Sequence, residues 1–231
     1  VGEQTVCMLS LYSVFHLNPG YSAVSESKRK DLILHCYWPL LDLVKRRKWP
    51  IGLEVSGWGL EEIYRLDPTW VRTAAELARR NLIEIVGSGY SQIIGPLVPF
   101  AVNKRNFELG WAAYQQILCV QPEIALINEQ AFSGGVGDVL KSFGVKGALM
   151  EWNNPYFDHP EWDPMLLYSP ARARLPSGET LPILWNHSVT FQKVQRFAHG
   201  ELSSDEMVRW LESQLRLAGR GVLSLYGNDA E

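Results

Sequence analysis

The sequence lacks several features that would place it in a common functional class. It has no run of about 18 uncharged apolar residues, the length that predicts a membrane span. Its formal net charge of −3 over 231 residues also lacks the basic excess that is typical of nucleic-acid-binding domains. The basic runs at 28–30 and 45–48 flank an apolar helical stretch and indicate a solvated helix face. We therefore expect neither a membrane nor a nucleic acid as partner.

Cysteine and histidine are scarce and widely spaced. The three cysteines, Cys7, Cys36 and Cys119, form no C-x-x-C pair and lie among apolar residues. This usage predicts buried thiols in a reducing compartment, and hence a cytoplasmic protein. The histidines, at positions 16, 35, 159, 187 and 199, are at least twelve residues apart, so they form no local metal-binding signature. We therefore predict no metal and no other cofactor.

Seven apolar, β-branched segments alternate with helical segments along the chain. The strand candidates are residues 5–12, 51–57, 83–89, 123–129, 146–152, 181–187 and 222–228. Their nearly continuous apolar character is typical of parallel strands that are covered on both faces. The alternation predicts a single-domain α/β fold over residues 1–231, an incomplete (β/α)7 barrel with parallel strands that is truncated after strand seven. The segment 154–180 is expected to be an excursion with a short strand at 166–169.

A doubly wound sheet is the alternative fold. Such a sheet would usually carry a glycine-rich phosphate loop after its first strand. The glycines at 87–89 lack the third glycine of that motif, and those at 134–137 lack its spacing, so both are interpreted as tight turns. The barrel is the favoured prediction.

Polar and aromatic residues follow every predicted strand. In a parallel barrel the functional side chains lie at the carboxyl ends of the strands. In chain order the candidates are His16 and Asn18; Glu54 and Trp58; Tyr90 and Gln92; Asn128, Glu129 and Gln130; Glu151, Trp152, Asn153 and Asn154; Trp185, Asn186 and His187; and Asn228, Asp229 and Glu231. Carboxylates and amides bind hydroxyl groups, and indole faces stack on sugar rings, so this composition indicates an oligosaccharide or polysaccharide as substrate.

Glu129 and Asp229 form the best candidate catalytic pair. Each closes an apolar strand, and closure of a barrel brings strands four and seven to opposite sides of one mouth. Two carboxyl groups that flank a glycosidic bond can hydrolyse it, and a separation of about 5–5.5 Å is that of a retaining enzyme. Either residue alone could instead be a capping or salt-bridging carboxylate.

The other candidates have weaker support. Trp58, Trp152 and Trp185 are either sugar-stacking platforms or core residues. His187 binds a hydroxyl or caps the loop after strand six, and Glu54 points either into the barrel mouth or toward a helix. Glu231 is close enough to Asp229 in sequence to raise the pKa of that carboxyl by like-charge repulsion.

Four segments also resemble glycoside hydrolase family 57. INEQAFSGGVGDVLKSFGVKGALMEWN is similar to the region that bears the family's nucleophile, and LYGNDAE resembles the region of its aspartate acid/base. FHLNPGYS is similar to the family's first region, and IEIVGSGYSQIIGPLVP to the region after strand three. In this order the matches extend over residues 15–231.

The resemblance implies an incomplete (β/α)7 barrel and a retaining double displacement without a metal. It implies Glu129 as nucleophile, Asp229 as general acid/base and His16 as a sugar-binding residue. It also implies action on α-glucans, because the family contains amylases, branching enzymes, glucanotransferases and α-galactosidases. The chain departs from the family at Asn18, where glutamine is common, at Gln92, where histidine is common, and in lacking a helical region after the barrel.

Three other functions are weighed against glycoside hydrolysis. A glycosyltransferring enzyme would use the same intermediate, with a sugar hydroxyl replacing water. A non-catalytic barrel could bind a glycan with the same residues. A metal-dependent polysaccharide deacetylase is disfavoured, because it would need two histidines about one helical turn apart.

Overall fold

The computed structural model describes residues 8–20 and 24–230. Within them, the strands are β1 (Met8–Leu17), β2 (Ile51–Val55), β3 (Ile83–Gly87), β4 (Ile124–Leu126), β5 (Gly147–Glu151), β6 (Ala171–Arg174), β7 (Thr180–Asn186) and β8 (Arg220–Asp229). They form one sheet in the order β6-β7-β5-β4-β3-β2-β1-β8. All neighbours pair in parallel except β6, which is antiparallel to β7 at the edge.

Helices connect the strands, and their ends follow local sequence signals. The α-helices are α1 (Arg29–Leu32), α2 (Trp38–Arg47), α3 (Gly57–Leu66), α4 (Pro68–Arg79), α5 (Phe100–Leu118), α6 (Gly134–Ser142), α7 (Asn153–Asp158), α8 (Ser188–Ala198) and α9 (Ser204–Ala218). A π-helical turn (Ile33–Tyr37) joins α1 to α2, and short 3-10 helices occupy Glu26–Lys28, Gly95–Leu97, Asn128–Gln130 and Pro164–Tyr168. Asp67 caps α4 ahead of Pro68, and Ser203 forms a capping box with Glu206 at the start of α9.

The seven parallel strands form an incomplete barrel, as predicted. β7 and β8 lie at the open seam, where side-chain bonds replace a backbone ladder. The Tyr12 hydroxyl donates to the carbonyl oxygen of Trp185 at 2.7 Å, and Ser224 Oγ donates to Asn186 Oδ1 at 3.2 Å. Gly227 permits this approach, because a Cβ there would lie 2.5 Å from Asn186 Cγ.

Several predicted elements differ from the structure. The fourth strand, predicted at 123–129, ends at Leu126, so Glu129 does not close this strand but lies beyond it in the 3-10 helix Asn128–Gln130. The first strand extends to Leu17, five residues beyond its predicted end, so His16 lies within the strand. The prediction of a short strand at 166–169 is wrong. A 3-10 helix ends at Tyr168, and the extra strand of the excursion is β6, at Ala171–Arg174.

The core consists of the apolar strand residues and the inner faces of the helices, as the continuous apolar runs indicate. The prediction of buried thiols is wrong for Cys119, which is exposed at the left-handed C-terminal cap of α5. Helix ends lie at the surface, which accounts for this exposure. Cys36 is half-buried, and Cys7 lies outside the described residues.

In the described part of the chain, no helix combines the length and apolarity needed to cross a membrane.

Tyr114 ties α5 to the carboxyl ends of two strands. Its side chain is fully buried, and burial raises the pKa of Tyr114 to about 12. The hydroxyl donates to the carbonyl oxygen of Val55 at 2.6 Å and accepts from the backbone N–H of Ser88 at 3.2 Å. One hydroxyl thus fixes the exits of β2 and β3, which lead into the cleft described below.

Tyr114→Phe should lower the free energy of unfolding by about 1–3 kcal/mol, because it leaves a buried carbonyl and a buried N–H without a partner. Urea denaturation monitored by circular dichroism measures the change. The exposed Tyr64 is the matched control, since Tyr64→Phe should change the free energy by less than about 0.5 kcal/mol. Equal stability of the two variants would contradict the structural role of the Tyr114 hydroxyl.

Candidate active site

A cleft of about 370 Å³ opens at the carboxyl ends of the barrel strands. It is lined by Val14, His16, Asn18, Glu54, Gln92, Leu126, Asn128, Glu129, Gln130, Asn186, Gly227, Asn228 and Asp229. The lining combines three carboxylates, an imidazole and a set of amide side chains. The structure therefore brings ten of the candidates to one place: His16, Asn18, Glu54, Gln92, Asn128, Glu129, Gln130, Asn186, Asn228 and Asp229.

Glu129 lies in an unusual backbone turn. The residue follows β4 with φ 51° and ψ 20°, and Gln130 has φ 56°, so two consecutive non-glycine residues are left-handed. Such residues are uncommon and cluster at functional sites. The turn is anchored by the N–H of Ile127, which donates to the carbonyl oxygen of Leu149 on β5 at 3.0 Å.

Asp229 ends β8 beside the end of β1. It is the register partner of His16, and the N–H of Ala230 donates to the carbonyl oxygen of His16 at 2.9 Å. The Asp229 side chain is 51% exposed. Partial burial raises the pKa of the Asp229 carboxyl, and the negative charge of Glu129 raises it further. The two predicted carboxylates therefore share one cleft and interact electrostatically.

His16 connects three polar side chains of the cleft. Its Nδ1 contacts Oε2 of Glu54, which is the register partner of His16 on β2. Its Nε2 lies 2.8 Å from Gln92 Nε2 and 3.9 Å from Asp229 Oδ1. The imidazole thus lies between the buried carboxylate of Glu54 and the exposed carboxylate of Asp229.

Glu54 points into the barrel mouth, which decides between the two orientations considered from sequence. Its side chain has no exposed surface, although it forms part of the cleft wall. Its Oε1 has no hydrogen-bond partner among the described residues. A buried carboxylate with one such oxygen is costly to desolvate and is held mainly by its contact with His16.

The three candidate tryptophans lie outside the cleft lining. Trp152 and Trp185 are 3% and 6% exposed and pack edge to face with ring centroids 5.2 Å apart. They are core residues, the second of the two alternatives given by the sequence. The half-buried Trp58 lies beneath the guanidinium of Arg29, with 5.3 Å between the guanidinium carbon and the ring centroid.

Tyr90 and His187 also face away from the cleft. The Tyr90 hydroxyl donates to Glu61 Oε2 on α3 at 2.9 Å. His187 is 9% exposed, its Nδ1 lies 2.8 Å from Thr190 Oγ1, and burial lowers the pKa of His187 to about 4. His187 is the N-cap residue of α8, but its side chain makes no capping hydrogen bond to the helix backbone. Glu231 lies outside the described residues.

Four amide residues among the strand-end candidates also line the cleft. These cleft residues are Asn128, Gln130, Asn186 and Asn228. Their position next to the candidate carboxylates was the available signal. Gly227 was missed because its contribution is the absence of a side chain, and this requirement is visible only once Asn186 is in place.

None of the described residues that line the cleft is a lysine or arginine. The lining therefore offers hydrogen bonds and negative charge, which suits a neutral polyhydroxylated ligand better than an anionic one. Within residues 8–20 and 24–230, no three His, Cys, Asp or Glu side chains are grouped so that they could hold a metal ion.

Comparison with known families identifies one match over most of the chain. The model of glycosyl hydrolase family 57 matches residues 26–223. This range contains Glu129 but begins after His16 and ends before Asp229. No curated protein matches the chain significantly.

Several solved structures share the fold. A 4-α-glucanotransferase from Thermococcus litoralis is 14% identical, with a TM-score of 0.77 over 96% of this chain and 34% of that chain. A family 57 branching enzyme from Thermococcus kodakaraensis is 11% identical, with a TM-score of 0.67 over 96% and 64%. A Mycobacterium smegmatis protein assigned as a polysaccharide deacetylase is 15% identical, with a TM-score of 0.67 over 100% and 79%. The chain thus spans about a third of the glucanotransferase, which is 34% covered.

Glu129→Gln should lower the pKa of Asp229 toward its ordinary value, because it removes a negative charge that favours the protonated carboxyl. Burial still acts on Asp229, so the shift should be partial. Carbon-13 NMR of the labelled aspartate carboxyl, followed across a pH titration, measures it. Glu76→Gln, on the exposed face of α4, is the control and should leave the pKa unchanged. An unchanged pKa in Glu129→Gln would contradict the electrostatic coupling.

Proposed function

Because this chain belongs to glycosyl hydrolase family 57, we propose that it is a retaining carbohydrate-active enzyme that cleaves or transfers glycosidic bonds by double displacement. One observation carries the proposal: Glu129 and Asp229, from opposite parts of the sequence, line one cleft at the carboxyl ends of the barrel strands. Two carboxyl groups in one sugar-sized cleft are the minimum equipment for this chemistry. The proposed catalytic domain is the whole barrel.

The proposed first step forms a glycosyl-enzyme intermediate. The Glu129 carboxylate attacks the anomeric carbon and forms an ester bond, while the glycosidic bond breaks. The departing oxygen takes the proton of the Asp229 carboxyl. In the second step Asp229 accepts a proton from water or from a sugar hydroxyl. The resulting nucleophile attacks the anomeric carbon and releases Glu129.

The environment of Asp229 supports its role as the acid. Burial and the charge of Glu129 raise the pKa of Asp229, so its carboxyl keeps a proton to a higher pH than an isolated aspartate would. Its side chain is half exposed and can exchange protons with solvent. Different environments for two carboxyl groups are the usual way to separate an acid from a nucleophile.

An α-glucan is the proposed substrate class. The solved structures with this fold include a 4-α-glucanotransferase and a branching enzyme. The cleft lining offers imidazole and amide groups without lysine or arginine, which suits neutral sugar hydroxyls. His16, Asn18 and Gln92 are the proposed hydroxyl-binding residues. Whether water or a sugar accepts the glycosyl group, and hence whether the activity is amylase-like or transferring, is decided by product analysis.

A non-catalytic glycan-binding barrel is the alternative that uses the same cleft. Glycan binding without turnover by the full-length protein would favour it. We do not propose metal-dependent deacetylation, because the described residues contain no cluster suited to a metal ion.

Glu129→Gln should abolish turnover of α-glucans, because it removes the group that forms the intermediate. Asp229→Asn should lower turnover roughly 10²–10⁴-fold on natural substrates. It should slow the first step much less for aryl glycosides, whose leaving groups need no proton. Activity of the full-length protein on α-glucan and α-galactoside panels measures these effects, with Glu76→Gln as the control expected to match the wild type.

Proton NMR of the product released first tests the stereochemistry. Retention of the anomeric configuration is expected for a double displacement. Inversion would overturn the mechanism, and full activity of Glu129→Gln would overturn the assignment of the nucleophile.

A further inference from the structure

We propose that Gln130 is a positioning residue, whose side chain fastens the strained turn that presents Glu129 to the cleft. This inference rests on the proposed function for its catalytic consequence. Its geometric basis is the path of the backbone after β4 and the hydrogen bonds that hold it.

The turn has an intrinsic tendency to relax. Glu129 and Gln130 are both left-handed, at φ 51° and 56°, and neither is a residue type that favours this region. A side chain with a Cβ crowds the following carbonyl oxygen there. Such a conformation persists only when surrounding contacts impose it.

The Gln130 side chain supplies one of these contacts. Its Oε1 accepts the backbone N–H of Glu151, the last residue of β5, at 2.6 Å. Glu151 is itself well anchored, since its carboxylate accepts the N–H groups of Asn153 and Asn154 at the start of α7, both at 2.7 Å. The turn is thus bonded to a fixed point on the neighbouring strand.

Asn128 holds the other side of the turn. Its Nδ2 donates to the carbonyl oxygen of Ser88, just after β3, at 2.9 Å. The two amide side chains that flank Glu129 therefore reach in opposite directions, to the ends of β3 and β5. The Glu129 carboxylate lines the cleft, while the amide groups of Asn128 and Gln130 are hydrogen-bonded to backbone groups.

The hydrogen-bond acceptor distinguishes Gln130 from a simple space-filling residue. Methionine has a similar length and shape but offers only a weak acceptor to the N–H of Glu151. In Gln130→Met the turn would lose the hydrogen bond from the N–H of Glu151, while the aliphatic part of the side chain would be kept. We expect the backbone at 129 and 130 to relax and the Glu129 carboxylate to leave its reactive position.

The kinetic test compares Gln130→Met with the wild type in the full-length protein. We expect kcat to fall about 100-fold, the cost of misplacing a reacting group by about 1 Å. KM should change by less than about twofold, because ground-state binding is unaffected. The loss should persist with aryl α-glycosides that carry good leaving groups, because attack by Glu129 is still required. Gln116→Met, at an exposed position of α5, is the matched control and should behave as wild type.

The structural test does not require activity. Crystal structures of the wild type and Gln130→Met should show the left-handed pair in the first and its loss in the second. An unchanged turn in Gln130→Met would overturn the proposal, as would an unchanged kcat. A raised KM with unchanged kcat would assign Gln130 to direct substrate binding instead.

The two proposals fail in different ways. If the wild type turns over no glycoside, the proposed function loses its support, and the crystallographic comparison alone decides whether Gln130 fixes the turn. If the wild type is active and Gln130→Met has the same kcat and the same turn as the wild type, the positioning role fails while the proposed function stands.

Discussion

Parallel pairing is the constraint on which the candidate site depends. Parallel strands deliver their carboxyl ends to one rim, so residues far apart in sequence meet there. The register makes this concrete: His16 on β1 is the partner of Glu54 on β2 and of Asp229 on β8. One row across three strands thus carries an imidazole flanked by two carboxylates. No local sequence signal brings these groups together.

The open seam of the barrel also shapes the site. Between β7 and β8 the backbone ladder is missing, and Ser224 on β8 and Tyr12 on the neighbouring β1 bond to β7 through their side chains instead. Asn186 and Gly227, from the two sides of the seam, both line the cleft. The incomplete closure of the barrel therefore forms part of the wall of the cleft that contains Asp229.

The strands and the candidate carboxylate pair could be predicted because both depend on the distribution of apolar residues along the chain, which can be read from the sequence. Apolar runs predicted the parallel strands, and the ends of these runs predicted Glu129 and Asp229 as candidates, although β4 itself ends at Leu126. Sequence reasoning could not separate buried from exposed tryptophans, since Trp152 and Trp185 are compatible with a core or with a rim. It assigned Tyr90 and His187 to the rim, although their side chains turn toward Glu61 and Thr190. The left-handed turn gave no signal, because glutamate and glutamine are not typical of that conformation.

Two carboxylates can take different roles only if their surroundings differ. The cleft lining supplies no lysine or arginine, so nothing in it offsets the mutual repulsion of Glu129 and Asp229 by a permanent positive charge. Partial burial raises the pKa of the Asp229 carboxyl, and the negative charge of Glu129 raises it further, so both favour the protonated form of Asp229. The proposed neutral glycan needs no cation for recognition, so the lack of basic residues fits both this proposed substrate and the raised pKa of Asp229. The composition of the lining, more than the fold, is therefore what supports the proposed glycoside chemistry at this barrel mouth.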